Sequence, residues 1–431
     1  MAIWMQSTAL ALALSVSAIS AAQDPVAPWE EDLDAFLTVL MAEHDNPYFL
    51  TPEAEFNTAV AEYRAALPDL DRAERIAGFA RIIALVGDGH TWMPMHGIPH
   101  DPLLGPGFRS LPVRFDVFEE GVFIVGAPTE YADYAGAQVL SFGETQAANA
   151  HAAVMSVLPQ DAVNFAAELA PEWLMQAELL AALGVVDSAE TVTLTLLKDG
   201  VQTELALTPM PTAYAFNWIY ELDTGPAGPD GPVDWVTAEQ DTPLWRENFA
   251  GNWRTIMLED AVYLQINAIR DGGETSYAAM AQAAVDTALT LDAPSLVVDL
   301  RRCAGGDGTL NAGLMAAITS APELEGRVAV LISRATHSAA VMLVSDFEQH
   351  TSARFYGQPT ADRPNHYGET NFFMAPNSGL PVIHASEYYQ TSSPDDDRRF
   401  LTPDVLIPYR FADYAAGTDP VLAQALADFT E

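Results

Sequence analysis

Two short apolar runs, 295–298 and 328–333, each pass through a turn into a helix-like apolar run, 310–318 and 339–347. Apolar runs without polar alternation suit strands buried on both faces, and such strands need helices packed against their sheet. The repeated order of strand, turn and helix therefore constrains the C-terminal part of the chain to an α/β arrangement. Both turns carry chemistry. In Arg334-Ala335-Thr336-His337-Ser338-Ala339-Ala340, a serine sits where the first helical N–H groups are unpaired and aimed at one spot. Ser338 reads as a nucleophile, the competing role for a serine there being a helix N-cap. In Asp299-Leu300-Arg301-Arg302-Cys303-Ala304-Gly305-Gly306, the glycine pair lets backbone N–H groups approach a bound carbonyl oxygen. The Ala339 N–H and an N–H at Gly305 or Gly306 are the candidate oxyanion hole.

These segments resemble the S41 serine peptidases, which include the tail-specific (C-terminal processing) proteases and the catalytic core of tricorn protease. The family pattern is an apolar strand, Asp-Leu-Arg, a linker ending in Gly-Gly, and then Thr-x-Ser-Ala. Asp299, Leu300, Arg301, Gly305, Gly306, Thr336, Ser338 and Ala339 match it. Gly87-Asp88-Gly89-His90-Thr91, Tyr356-Gly357-Gln358-Pro359-Thr360 and Thr402-Pro403-Asp404-Val405 agree in order. The resemblance implies an α/β fold with a ClpP/crotonase-like peptidase core, a PDZ-like β-rich domain and an N-terminal helical region. It also implies a serine endopeptidase that needs no cofactor and no metal.

Tail-specific members use a lysine some two dozen positions after the serine as the base. The only lysine here is Lys198, in a distant hairpin, and the family position falls on Arg363, whose guanidinium stays protonated. A histidine is the natural replacement. His90 is the first candidate because Gly-Asp-Gly-His-Thr resembles the segment supplying the tricorn-type base. His337 is expected to line the cleft, and His366 is the reserve. For the orienting acid, the resemblance points to Asp397, with Asp396 one register away and Asp88 as a local alternative.

Composition narrows the partners. The 431 residues carry 59 carboxylates against 19 basic side chains, a formal charge of -40, which repels nucleic acid and anionic membranes. Residues 1–22 read as a signal peptide, with an apolar core ending in Ser20-Ala21-Ala22, so a periplasmic or secreted protein is expected, with no stable membrane span once the leader is removed. Cys303 is the only cysteine, which excludes internal disulfides and thiolate-rich metal sites. His90, His96 and His100 cluster in sequence but lack ligand spacing on a helix. Gly305-Gly306-Asp307-Gly308 lacks the Lys-Ser/Thr of a phosphate loop.

Apolar residues recur at helical spacing over 30–43, 52–67 and 70–86, within an N-terminal helical region at 24–95. Strand pairs then mark a domain at 108–210, with Lys198-Asp199-Gly200 as a hairpin turn. Gly136-Ala137-Gln138-Val139-Leu140-Ser141-Phe142-Gly143 resembles the PDZ-like domain of S41 peptidases, which could take a polypeptide substrate by its C-terminus through strand addition. A Gly/Pro/Asp-rich linker, 211–250, precedes the core at 251–431. The rival reading is a catalytically inactive S41-like protein that binds a peptide or an apolar ligand, as the retinoid-binding relatives of this core do.

Overall fold

Trp29, Leu33, Phe36 and Leu40 form one buried stripe on the helix Ala27–Glu43, and Phe56, Val60 and Tyr63 do the same on Glu53–Ala66. A third helix, Arg72–Ala84, starts at a capping box: Asp71 accepts from the Glu74 N–H while Glu74 accepts from the Asp71 N–H. The computed structural model describes residues 25–95, 107–212, 227–228, 231–248 and 250–430. The leader at 1–22, together with His96, His100 and Asp101, lies outside the described residues.

The three helices do not form a separate core. Their apolar faces join the antiparallel PDZ-like sheet in one hydrophobic cluster that includes Phe115, Ile124, Phe142 and Leu194. In that sheet Gly121–Pro128, Gln138–Phe142, Val192–Lys198 and Val201–Leu207 pair in order, and Arg114–Phe118 pairs with Gly121–Pro128. Asp199 and Gly200 both have positive φ, the geometry of a tight hairpin turn between Lys198 and Val201. Trp235–Thr237, from the segment read as a linker, adds a strand to Gly121–Pro128.

The C-terminal sheet runs Trp253–Met257, Val262–Ile266, Leu296–Asp299, Val328–Ile332, Arg354–Gly357, Val405–Leu406. Its first pair is antiparallel and the others are parallel. Leu264, Val298 and Val330 face the helices Tyr277–Ala288, Asn311–Thr319 and Ala339–His350, whereas Tyr263, Val297 and Ala329 face Pro420–Asp428. Both faces are covered, as the uninterrupted apolar strands require. Because Asp299 and Leu331 are in register, the two motif-bearing turns leave the same carboxyl edge of the sheet, where open α/β sheets place their sites.

Two small hairpins complete the arrangement. His366–Gly368 pairs with Glu387–Tyr389, and Asn371–Met374 pairs with Pro381–His384. Ile383 also bridges to Trp92, which holds the Gly89-His90 segment against the core. Buried Asp32 secures this contact from the first helix by accepting the N–H groups of Asn377 and Ser378.

Candidate active site

The Ser338 turn is tied to the neighbouring strand by Thr336. Its hydroxyl donates to the Leu300 carbonyl (2.9 Å) and accepts from the Ser333 N–H (2.9 Å). His337 N–H donates to the Cys303 carbonyl, so the two motif loops are fastened at a second point. Ser338 is left at φ 56°, ψ −127°, at the start of Ala339–His350. A non-glycine residue held at positive φ stores strain, and this strand-to-helix elbow is where nucleophilic serines are presented.

The glycine loop fits against the elbow without room for a side chain. A Cβ on Gly305, which has φ +98°, would stand 2.6 Å from the Ser338 Cβ and 2.9 Å from the Ala339 nitrogen. The Gly305 backbone is a hydrogen-bond partner of the Cys303 sulfur, whereas the Gly306 and Ala339 N–H groups enter no hydrogen bond among the described residues. These two are therefore the open donors beside Ser338. Burial pushes the Cys303 thiol up to about 12, so it is a packing group rather than a nucleophile.

Four rings stack beside the elbow. Phe165 lies 4.3 Å from His337, His337 4.3 Å from His90, and His90 5.8 Å from His366 between centroids, with interplanar angles of 17°, 24° and 11°. His90 is buried; its ring nitrogens make no close hydrogen bond, and the Tyr367 backbone is the group on it that favours the protonated form. Burial holds its pKa well below the ordinary 6.5, and the adjacent His337 and His366 act in the same direction. The imidazole is thus neutral near pH 7, the form that can accept a proton.

Asp88 does not orient this ring. Its Oδ1 accepts the His90 backbone N–H (2.8 Å) and its Oδ2 pairs with His44 Nε2 (3.1 Å), so it shapes the loop. Asp397 is exposed, and it is its backbone carbonyl that contacts Arg363. Asp396 binds Arg398 and Ser392, and Arg398 holds its carboxyl far below the usual range. Neither carboxylate is hydrogen-bonded to a histidine among the described residues.

The acid that reaches the histidines is Asp362, which the sequence analysis did not single out. Its Oδ2 lies 3.1 Å from His337 Nε2 and accepts the Ser338 N–H at 3.2 Å. It is 2 % exposed, and its Oδ1 occupies the space that a Cβ on Gly89 would need. The signal was within one residue of being read: Asp362, rather than Arg363, faces the serine at the place of the family lysine. Arg363 instead turns to Asp161, which also receives Arg399.

A cavity of about 210 Å³, lined by Asp88, Gly89, Asp161, Asp362, His366 and Tyr388, opens next to the stack. A larger one, about 290 Å³, lies behind the elbow between the PDZ-like sheet and the core and is lined by Ser333 and Arg334 but not by Ser338. Arg334 spans that junction, donating to Glu168, to Asp116 and to the Val117 carbonyl.

A parallel sheet carrying the Ser338 elbow at its carboxyl edge, with an attached PDZ-like domain, makes an α/β architecture. Mature CPAF has this fold, with a TM-score of 0.61 over 93% of this chain and 98% of that one at 12% identity. A serine-to-alanine mutant of CPAF (TM-score 0.61, 11% identity, 94% and 96% covered) and CPAF complexed with lactacystin (0.59, 12%, 94% and 97%) match as well. At such identity the likeness establishes the fold, which agrees with the S41 resemblance read from the motifs. No protein-family model matches the sequence, and no curated protein does.

Proposed function

We propose that the protein is a serine-type endopeptidase. Ser338 Oγ attacks the scissile carbonyl carbon, and its proton passes to a ring nitrogen of His90. The oxyanion that forms is received by the Gly306 and Ala339 N–H groups, and the His90 imidazolium is balanced by Asp362, whose carboxylate lies within 4.8 Å of the paired histidine nitrogens. The imidazolium then protonates the leaving amine, and a water molecule repeats the sequence on the acyl-enzyme. Asp362, not Asp397, takes the part of the acid in this scheme.

The observation that carries this reading is the positive-φ Ser338 packed on Gly305, a strained conformation with no packing purpose of its own. In this proposal a polypeptide is the substrate, held extended on the PDZ-like domain, and the protein acts after export to the periplasm or beyond. No helix among the described residues is long and apolar enough to cross a membrane.

The test is labelling of the protein from Gln23 onward by a fluorophosphonate, together with cleavage of an unfolded protein. Both are expected to vanish in Ser338→Ala and His90→Ala. An unlabelled wild type across pH and salt would favour the binding-protein reading.

A further inference from the structure

His366 is 4 % exposed and lines the cavity of about 210 Å³ beside the histidine stack. Its Nδ1 lies 3.1 Å from the Arg363 carbonyl and 3.3 Å from the Pro364 carbonyl, and because carbonyls only accept, that nitrogen carries the proton. The neutral ring therefore presents a lone pair at Nε2, which has no hydrogen-bond partner among the described residues. The carboxylates around the cavity are acceptors too. Asp161 is matched by Arg363 and Arg399, and Asp396 by Arg398. Asp88 and Asp362 meet histidine nitrogens and backbone N–H groups instead, with no arginine or lysine on either among the described residues. An imidazole offsets a carboxylate only when protonated, so two negative charges at the cavity have no permanent cation. Asp362 is committed to the His90 imidazolium during catalysis, which leaves Asp88 for a second positive charge. Aromatic rings complete the lining, Tyr367 lying 4.8 Å from Phe49 and 5.0 Å from Tyr388 between centroids. An occupant that suits acceptors and ring faces alike is a cation that only donates, as lysine and arginine side chains do.

We propose that this cavity selects a lysine or arginine side chain of the polypeptide beside the scissile bond, its cationic head donating to His366 Nε2 and Asp88 and lying against the Tyr367 and Tyr388 rings. The preference in cleavage rests on the peptidase reading; the affinity for a basic side chain does not. Asp362 both lines the cavity and accepts the Ser338 N–H at 3.2 Å, so a side chain that enters belongs to a residue close to the bond Ser338 attacks. The formal charge of -40 draws basic substrates toward the protein from a distance, an effect that salt screens.

The experiment compares internally quenched peptides that carry lysine, or its uncharged isostere norleucine, at successive positions around one scissile bond. The wild type should favour lysine at one position, with kcat/KM higher by about 30-fold or more, and by less in about 0.5 M NaCl. Arginine against citrulline should behave alike. His366→Phe and Asp88→Asn should each reduce that ratio to about 5-fold or less, the norleucine peptide reporting any general damage in the same protein. Tyr388→Leu, at a residue 44 % exposed, should reduce it by about 3-fold and carries the test where the buried variants do not fold. A ratio near one in the wild type at every position would overturn the proposal, and so would a ratio that survives all three substitutions. If no peptide is cut and no fluorophosphonate binds, the peptidase reading fails on its own. Fluorescence anisotropy of the same peptides on Ser338→Ala protein then decides the cavity: a preference of about tenfold for lysine sustains it, and equal affinity for norleucine overturns it.

Discussion

Asp362 Oδ2 stands 3.1 Å from His337 Nε2 while accepting the Ser338 backbone N–H, so one buried carboxylate contacts both residues of the His337-Ser338 pair in the turn. Asp362→Asn keeps the size and an acceptor oxygen but removes the charge that balances an imidazolium. We expect kcat to drop by about 100-fold or more with KM little changed, as for loss of a transition-state interaction. Steady-state kinetics on a peptide reads this directly, and an unaltered kcat would remove Asp362 from the mechanism.

The pH profile should betray the base. Since burial and two neighbouring histidines lower the His90 pKa, the proton-accepting form persists on acidification past 6.5, and kcat/KM should stay on its plateau there before falling. A limb centred at or above 6.5 would point to a different base.

The same shift has a consequence for stability. An unfolded chain protonates His90 near pH 6.5 and the folded chain does not, so the unfolded state binds more protons and stability declines as pH falls below about 6.5. His366 is lowered by burial in the same sense. Urea denaturation at about pH 7.5 and 5.5 should show a smaller decline for His90→Ala than for the wild type.

Gly305→Ala tests the contact between the two loops. With φ +98° and a Cβ 2.6 Å from that of Ser338, the substitution is expected to cost about 1 to 3 kcal/mol and to abolish fluorophosphonate labelling. Chemical denaturation and gel fluorescence measure the two effects separately. Wild-type labelling would show that the loops are farther apart.

Arg334→Ala leaves the carboxylates of Asp116 and Glu168 facing one another's surroundings without their shared cation. The loss should be about 3 kcal/mol by thermal denaturation, and lysine should not restore it because it lacks the fork that reaches three acceptors. Activity should fall too, because the guanidinium anchors the segment leading into Ser338.

Much of the architecture was legible from pattern alone. The stripe of Trp29, Leu33, Phe36 and Leu40, the Lys198-Asp199-Gly200 turn and the apolar runs 295–298 and 328–333 each announce a local conformation whose burial follows from period and polarity. Less legible were the small hairpins around His366 and Ile383. Their pairing partners include Trp92, nearly three hundred residues away, and strands this short carry no periodicity to reveal such contacts.

The site divides in the same way. The approach of the Gly305-Gly306 loop to the Ser338 turn could be anticipated from the sequence because a tight strand-to-helix turn and a close backbone approach are local requirements, and residue type records them. The acid could not. Asp395, Asp396, Asp397 and Asp362 are chemically alike, and which carboxylate meets a histidine depends on side-chain direction at the end of a long loop, where a shift of one residue turns a group from the site to solvent. Helices, strands and the serine elbow were thus determined by the sequence itself, through short-range sterics and burial. The gathering of His90, His337, His366 and Asp362 at one buried point was decided by tertiary packing, because only that brings three separate stretches of chain within hydrogen-bonding and stacking distance.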